Sequence, residues 1–337
     1  MVDKRLILAV AGSGKTRYVI ETLNLEKKFL IVTYTIDNYN TIKKRIITKY
    51  GYLPHNITLL KFFDFLYSFC AKPFLLFEYN LKGIYWEQPP EFTTRLKKED
   101  HKKYFTRNNL LYHNRISKFI EITDSTPLIV QKLEKFYDYL IIDEFQDLGG
   151  HDFNLIMALS KANINLLYVG DFFQHTYFTS FDGVLNKSLY NDYEKYIKKI
   201  KSNNIIVDTV SLIESYRCSP TICNLISEKL GINIKSKRTD ETRIHIIDDI
   251  KEIPDIIKDN DVIKLVYNDS DKQPFNSKNW GKCKGNDDYS DTCIILTKSV
   301  TKSLEENKMH EIVSTTRNKL YVAISRTKGD CFIVKQK

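Results

Sequence analysis

The chain has 337 residues, 42% of them hydrophobic and 28% charged, and a formal net charge of +9. That length suits about two domains with cores of their own, and the positive balance favours a polyanionic partner, nucleic acid before an anionic membrane surface. No apolar run approaches the ~18 residues of a membrane span, and the six cysteines form no C-x-x-C pair and no zinc-ligand spacing, so neither a disulfide framework nor a zinc–thiolate site is indicated.

In chain order, the apolar run Leu6–Val10 reads as a buried strand. It enters Ala9-Val10-Ala11-Gly12-Ser13-Gly14-Lys15-Thr16, a glycine-rich turn that opens a helix. Backbone N–H groups of the turn Ala11, Gly12, Ser13 and Gly14, with the positive end of the helix, suit the phosphates of a nucleotide. Lys15 would add a point charge at the β- and γ-phosphates, and Thr16 an oxygen ligand for Mg²⁺. Ala9 stands where the generic pattern has its first glycine, a small-residue variant. Hydrolysis of a nucleoside triphosphate is the expected chemistry.

Phe29–Thr33 and Ile57–Leu60 read as further strands, followed by Phe62, Phe65, Leu66 and Phe69 at helical spacing. Residues 70–125 lack a clear strand pattern and carry dense charge, including the run from Arg95 to Lys103, and read as a small helical, basic insertion. That run suits either duplex phosphates or a solvated charged helix. Tyr139–Asp143 is a buried strand ending in Asp143-Glu144. In a phosphate-loop enzyme the first acid holds Mg²⁺ and the second orients and deprotonates the attacking water. Asn165–Gly170 runs into Asp171-Phe172-Phe173-Gln174, where a neutral amide can sense the γ-phosphate.

Ile206–Leu212, Arg243–Ile247, Thr292–Leu296 and Cys331–Val334 complete the strands, and residues 267–290 are turn-rich. Ser215-Tyr216-Arg217 and Ala323-Ile324-Ser325-Arg326 each offer an arginine suited to developing phosphoryl charge, although each taken singly also reads as a surface residue. Alternating strands and helices predict an α/β chain with parallel sheets. The expectation is a cytoplasmic chain, free of a processed leader, with reduced thiols and no membrane partner.

Together these segments resemble the superfamily 1 helicases of the UvrD/Rep type. The phosphate loop Ala11–Thr16 is similar to the family's first motif, Thr33-Tyr34-Thr35 to its Thr-Phe-Thr segment, and Asp143–Asp147 to its acidic motif. Gly170–Gln174 is similar to Gly-Asp-x-x-Gln, Tyr216-Arg217 to the Tyr-Arg motif, Lys282-Cys283-Lys284-Gly285 to Lys-Ser-Lys-Gly, and Leu320–Arg326 to the final Tyr-Val-Ala-x-(Thr/Ser)-Arg motif.

The resemblance implies two RecA-like P-loop lobes with parallel sheets. Residues 1–69 and 126–205 would form the first, ATP-binding lobe, residues 70–125 its helical insertion, and residues 206–337 the second lobe. It implies ATP and Mg²⁺ as cofactors, with Lys15 and Thr16 on phosphates and metal, Asp143 on the metal and Glu144 as base. Gln174, Arg217 and Arg326 would surround the γ-phosphate. Arg17 and Tyr216 resemble the pair that sandwiches adenine, and Gly285 belongs to a nucleotide-binding motif. Tyr34, Thr35, Phe62, Tyr177 and Phe181 stand where the family faces single-stranded DNA, Phe62 also reading as helix core. The implied activity is ATP-driven movement on single-stranded or tailed duplex DNA, 3′ to 5′. The second reading is a nucleic-acid-stimulated ATPase switch that regulates a partner such as a nuclease, in repair or phage defence.

Departures from the family are few but specific. Eight residues precede Ala9 and none is glutamine, so the adenine is expected to rest on Arg17 and Tyr216 rather than on an upstream reader. Ile36 replaces a common DNA-contacting asparagine, and Asn286-Asp287-Asp288-Tyr289 replaces the usual residues after Lys-Gly. Only residues 218–281 lie between Arg217 and Lys282, where larger relatives insert an accessory domain.

Overall fold

Continuous apolar runs become central strands, because a parallel strand buried on both faces has no polar side to show. Phe29–Thr33 is the clearest case, with all five residues buried. The computed structural model describes residues 2–176, 185–285 and 289–336. Residues 2–6, 16–170 and 185–207 cluster into a first unit, and residues 7–15, 171–176, 208–285 and 289–336 into a second. Among the described residues no helix is long and apolar enough to cross a membrane, and all six cysteines are free and buried.

Up to residue 208 the elements are β1 (Lys4–Leu8), α1 (Lys15–Thr22), β2 (Phe29–Thr33), α2 (Ile36–Tyr50), β3 (Ile57–Lys61), β4 (Gly83–Tyr85), β5 (Leu110–Tyr112), α3 (Ile116–Ile122), α4 (Thr126–Phe136), β6 (Tyr139–Asp143), α5 (Gly150–Leu159), β7 (Asn165–Gly170), α6 (Tyr193–Lys201) and β8 (Ile206–Asp208). The main sheet has the order β3-β2-β6-β7-β1-β8. Strands β3, β2, β6 and β7 are parallel, with Phe29 beside both Ile57 and Tyr139, and Tyr139 beside Asn165. The Phe29 and Tyr139 rings stack at 4.9 Å. Each fully buried Val, Leu, Ile or Phe in such a layer stabilises the fold by about 1.5–3 kcal/mol. Helix α2 shows how local sequence sets bounds. The Thr35 hydroxyl accepts from the N–H of Asn38 at its start, and Gly51, at φ +81°, returns its N–H to the Ile47 carbonyl at its end.

Two expectations need correction here. The 70–125 stretch is less helical than its charge density suggests, since it also holds the parallel pair β4–β5 and single 3₁₀ turns. Three-residue strands are too short to show an alternating pattern. The basic run also forms no continuous solvated helix. Within it Lys103 is buried, donating its ammonium to the carbonyls of Thr94, at 3.1 Å, and Leu96. Arg115 is buried too and donates to the Thr93 hydroxyl at 2.8 Å. Burying these cations is tolerable because carbonyl and hydroxyl oxygens surround them.

The rest of the chain forms β9 (Glu214–Ser215), α7 (Pro220–Leu230), β10 (Lys235–Ser236), β11 (Ile244–Ile247), β12 (Ile263–Val266), β13 (Ser277–Asn279), β14 (Thr292–Ile295), α8 (Lys298–Glu305), α9 (Ser314–Ile324) and β15 (Cys331–Val334). A five-stranded parallel sheet runs β11-β15-β14-β12-β13. Its core gathers Ile263, Leu265, Ile294, Leu320, Tyr321 and Trp280. The turn-rich stretch is therefore anchored: Trp280 is fully buried and donates its indole N–H to the Leu265 carbonyl at 3.0 Å. The strand expected over Ile206–Leu212 stops at Asp208, whose carboxylate accepts from the N–H groups of Val210 and Ser211 and turns the chain.

Candidate functional site

In the second unit the phosphate loop leaves β1 and wraps over the segment 212–217. Gly12 and Gly14 have φ of +72° and +86°, conformations that side-chain-bearing residues rarely adopt. The Ser13 hydroxyl closes the turn by donating to the Val10 carbonyl at 2.8 Å. Val10 donates its N–H to the Leu212 carbonyl, and the Gly12 carbonyl accepts from the N–H of Tyr216, both at 2.9 Å. A Cβ on Gly12 would come within 2.6 Å of the Ser215 hydroxyl and 2.7 Å of the Arg217 Cβ. The glycine is thus required by its conformation and by its neighbours at once.

Arg217 lies beside this turn and donates from Nη1 to the Ser325 carbonyl at 3.3 Å. Arg326 follows, 2% exposed. The Tyr321 hydroxyl accepts from the N–H of Ala11 at 2.8 Å and donates to the Asp171 carboxylate at 2.9 Å. Burial first, and then the Asp171 charge, push the Tyr321 hydroxyl well above its ordinary pKa, so it stays a protonated donor. Asp171 heads the turn Phe172–Gln174, its carboxylate accepting from the N–H of Phe173 at 3.1 Å, and Gln174 is buried. The residues brought together in this unit are therefore Ala11, Gly12, Ser13, Tyr216 and Arg217. Tyr321 links their loop to the turn that carries Gln174.

In the first unit β6 ends in Asp143, which is buried and accepts from the Thr33 hydroxyl at 3.4 Å. The register explains the pairing: Val32 lies beside Ile142, so the two strands end together. Glu144 has φ +56°, a left-handed conformation unusual for this residue type and of the kind that gathers at functional sites. Its carboxylate accepts from the Gln146 side-chain amide. Gly170 makes the fit possible. A Cβ there would meet the Gln146 side-chain oxygen at 2.6 Å and the backbone nitrogens of Gln146 and Phe145 at 3.1 and 3.2 Å. Oxygen donors such as Asp143, with Thr16 at the head of α1, are those a hard cation such as Mg²⁺ takes.

The remaining expected residues divide. Lys15 and Thr16 are half-buried, and Arg17 is exposed and ion-paired with Glu21 at 2.6 Å. Tyr216 is 57% exposed. Gly285 has φ +90°, and a Cβ placed on it would meet nothing within 4 Å among the described residues. Phe62 is corrected: at 4% exposure it is core, with Tyr34 stacked on its ring at 4.7 Å and 13°. Tyr34 is half-buried on that backing, and Thr35 spends its hydroxyl capping α2. Tyr177 and Phe181 lie outside the described residues. Sequence reasoning gave no separate role to Thr33, Ser215 or Tyr321. All three are polar residues set in or beside apolar runs, and that was the available signal.

Residues 85–196 match the UvrD/REP helicase N-terminal domain family. A putative ATP-dependent DNA helicase, YjcD of Bacillus subtilis (strain 168), is 24% identical over 248 residues, 56% of this chain and 32% of that protein. DNA helicase II of Haemophilus influenzae is 26% identical over 113 residues, 34% of this chain and 14% of that protein. Over these stretches the chain is similar to the UvrD-like superfamily 1 helicases. It spans a third or less of the length of these curated relatives.

Two solved structures share the fold of this chain. The arterivirus nonstructural protein 10 helicase in complex with DNA has a TM-score of 0.50 at 11% identity, over 99% of this chain and 60% of that one. A second crystal structure of the arterivirus nonstructural protein 10 helicase gives 0.50 at 12% identity, over 99% and 59%. The α/β expectation of parallel sheets in RecA-like lobes holds.

Proposed function

We propose that this chain is an ATP-hydrolysing motor that moves on single-stranded DNA, with tailed duplex DNA as a substrate and 3′ to 5′ as its direction. One observation carries the reading: the phosphate loop is folded against the Tyr216-Arg217 segment so closely that only glycine fits at position 12. A turn that merely resembled a phosphate loop would have no reason to be built onto an arginine suited to phosphoryl charge.

In this reading the backbone N–H groups of Gly12–Gly14 and the Lys15 ammonium hold the phosphates, while the N–H of Ala11, expected to join them, is taken by the Tyr321 hydroxyl. Thr16 and Asp143 would hold Mg²⁺, which neutralises charge on the β- and γ-phosphates when bound. Glu144 takes the proton of the attacking water from a left-handed backbone position directly after β6. Gln174, Arg217 and Arg326 contact the γ-phosphate as charge develops on it. Arg17 and Tyr216 hold the base. Tyr34, backed by Phe62, stacks a DNA base, joined by Thr35, Tyr177 and Phe181 along the strand. The division into residues 1–69 and 126–205, an insertion 70–125, and residues 206–337 belongs to the same proposal.

The short stretch 218–281 favours a second reading. A motor with so little between its Tyr-Arg and Lys-Gly segments would serve as a nucleic-acid-stimulated switch on a partner such as a nuclease. Strand displacement on a 3′-tailed duplex separates the two. Robust unwinding by the isolated chain supports the motor. Stimulated ATP hydrolysis without unwinding supports the switch.

A further inference from the structure

Helix α9 grips the segment 171–175 with one face. Asn318 donates its amide to the His175 carbonyl at 3.0 Å, and three residues on Tyr321 donates to Asp171. The Tyr321 ring meets Phe173 edge-on at 6.1 Å, and Arg317, four residues before Tyr321, lies over the Phe173 ring at 5.4 Å. Spacings of three and four put these side chains on the same side of a helix. The Tyr321 hydroxyl differs from the others in reaching past that segment to the phosphate loop.

The direction of its hydrogen bonds follows from chemistry. A backbone N–H can only donate, so the hydroxyl accepts from Ala11 and must spend its single proton on Asp171. Tyr321 is fully buried, so a lost partner would not be replaced freely by water. Asp171 in turn caps the turn that ends in Gln174.

We propose that Tyr321 is a positioning residue that ties the phosphate loop, through Ala11, to the Asp171–Gln174 turn, so that loop and glutamine keep one relative placement through the nucleotide cycle. The inference rests on the ATP-hydrolysing reading above but assigns a role which that reading does not contain. It makes Tyr321 act on turnover and not on nucleotide capture. The loop N–H groups that face phosphate are left alone, while the group that senses the γ-phosphate loses its reference.

The test is Tyr321→Phe, which keeps the buried ring and removes one oxygen. Binding of a fluorescent ATP analogue should stay within about threefold of wild type while kcat in the presence of single-stranded DNA falls about tenfold or more, the scale of a lost hydrogen bond to a charged group. Combined with Asp171→Ala, which removes the acceptor altogether, the double variant should be no slower than the worse single one, because each single change already breaks the link. Thermal unfolding of each variant separates misfolding from the effect on turnover. Hydrogen exchange gives a readout without turnover: peptides covering residues 9–14 and 171–175 should both exchange faster in Tyr321→Phe. Unchanged exchange in both, a kcat within about twofold of wild type, or binding and kcat lost in equal measure would each overturn the proposal. If the wild-type chain hydrolyses no ATP, the ATP-hydrolysing reading fails instead, and the exchange result still decides the link.

Discussion

Gly12 sits against Arg217 so tightly that a Cβ on the glycine would stand 2.7 Å from the arginine's own Cβ. The phosphate loop and the Tyr-Arg segment are therefore shaped to each other. Gly12→Ala adds one methyl group at φ +72°, where an L-residue is disfavoured by about 1–2 kcal/mol before any overlap is counted. The loop should shift off Ser215 and Arg217, with nucleotide binding weakened at least about tenfold. Titration with a fluorescent nucleotide checks this, and wild-type affinity would mean that the loop's fit to Arg217 is incidental.

Glu144→Gln should separate binding from chemistry. The amide keeps the side chain's size while removing the basic oxygen, and Asp143 retains its bond from Thr33. Nucleotide and DNA affinities should hold, and turnover should drop about a hundredfold or more, the range of a general base. Steady-state phosphate release measures it. A rate near wild type would transfer the base role to another group.

Gly170→Ala should damage the same chemistry through packing. The added methyl would press on Gln146 and on the backbone of the acidic turn, at 2.6–3.2 Å. Overpacking of this kind costs about 1–3 kcal/mol. The expected outcome is a lower melting temperature together with slower turnover. A stable, fully active Gly170→Ala protein would show that the turn after Asp143 tolerates displacement.

Asp152 predicts a pH effect on stability. It accepts from the Ser117 hydroxyl at 2.5 Å, next to the His151–Glu121 pair at 2.6 Å, and burial pushes its carboxyl up to about 6. The folded chain therefore binds this proton more tightly than the unfolded chain, whose value is near 3.8. The sign follows: the ionised carboxylate costs stability, the cost is absent below the unfolded value, grows as pH rises between the two, and is complete above about 6. Asp152→Asn should gain stability relative to wild type between about pH 4 and about pH 7 in thermal melts. A difference between the two proteins that stays constant over that range would contradict the assignment.

What the sequence made legible were features carried by neighbouring residues. Phe29–Thr33 and Tyr139–Asp143 could be read as buried strands because their apolar runs are unbroken, and the phosphate loop because its glycines and Lys15 lie within a few residues. Strand β12 was hidden by Lys264, a fully buried lysine whose ammonium reaches the Asp259 carbonyl, so that a charge interrupts the run without leaving the core. Trp280 looked like part of a turn because its partner, Leu265, belongs to that same unread strand. Phe62 and Tyr34 are both candidate stacking rings in the sequence, and only their burial in the folded chain shows which of them is core. Tyr321 was out of reach for a different reason: it bonds to Ala11 across 310 positions of chain, and no local pattern encodes such a pair.

In the proposed motor, nucleotide hydrolysis is coupled to single-stranded nucleic acid. Phosphate release from Mg²⁺-ATP, measured with no polymer, with single-stranded DNA and with RNA, beside a Lys15→Ala control, tests it most directly. Hydrolysis should rise on adding single-stranded DNA and vanish in Lys15→Ala. A rate no higher than the control's, or one indifferent to DNA, would contradict that coupling.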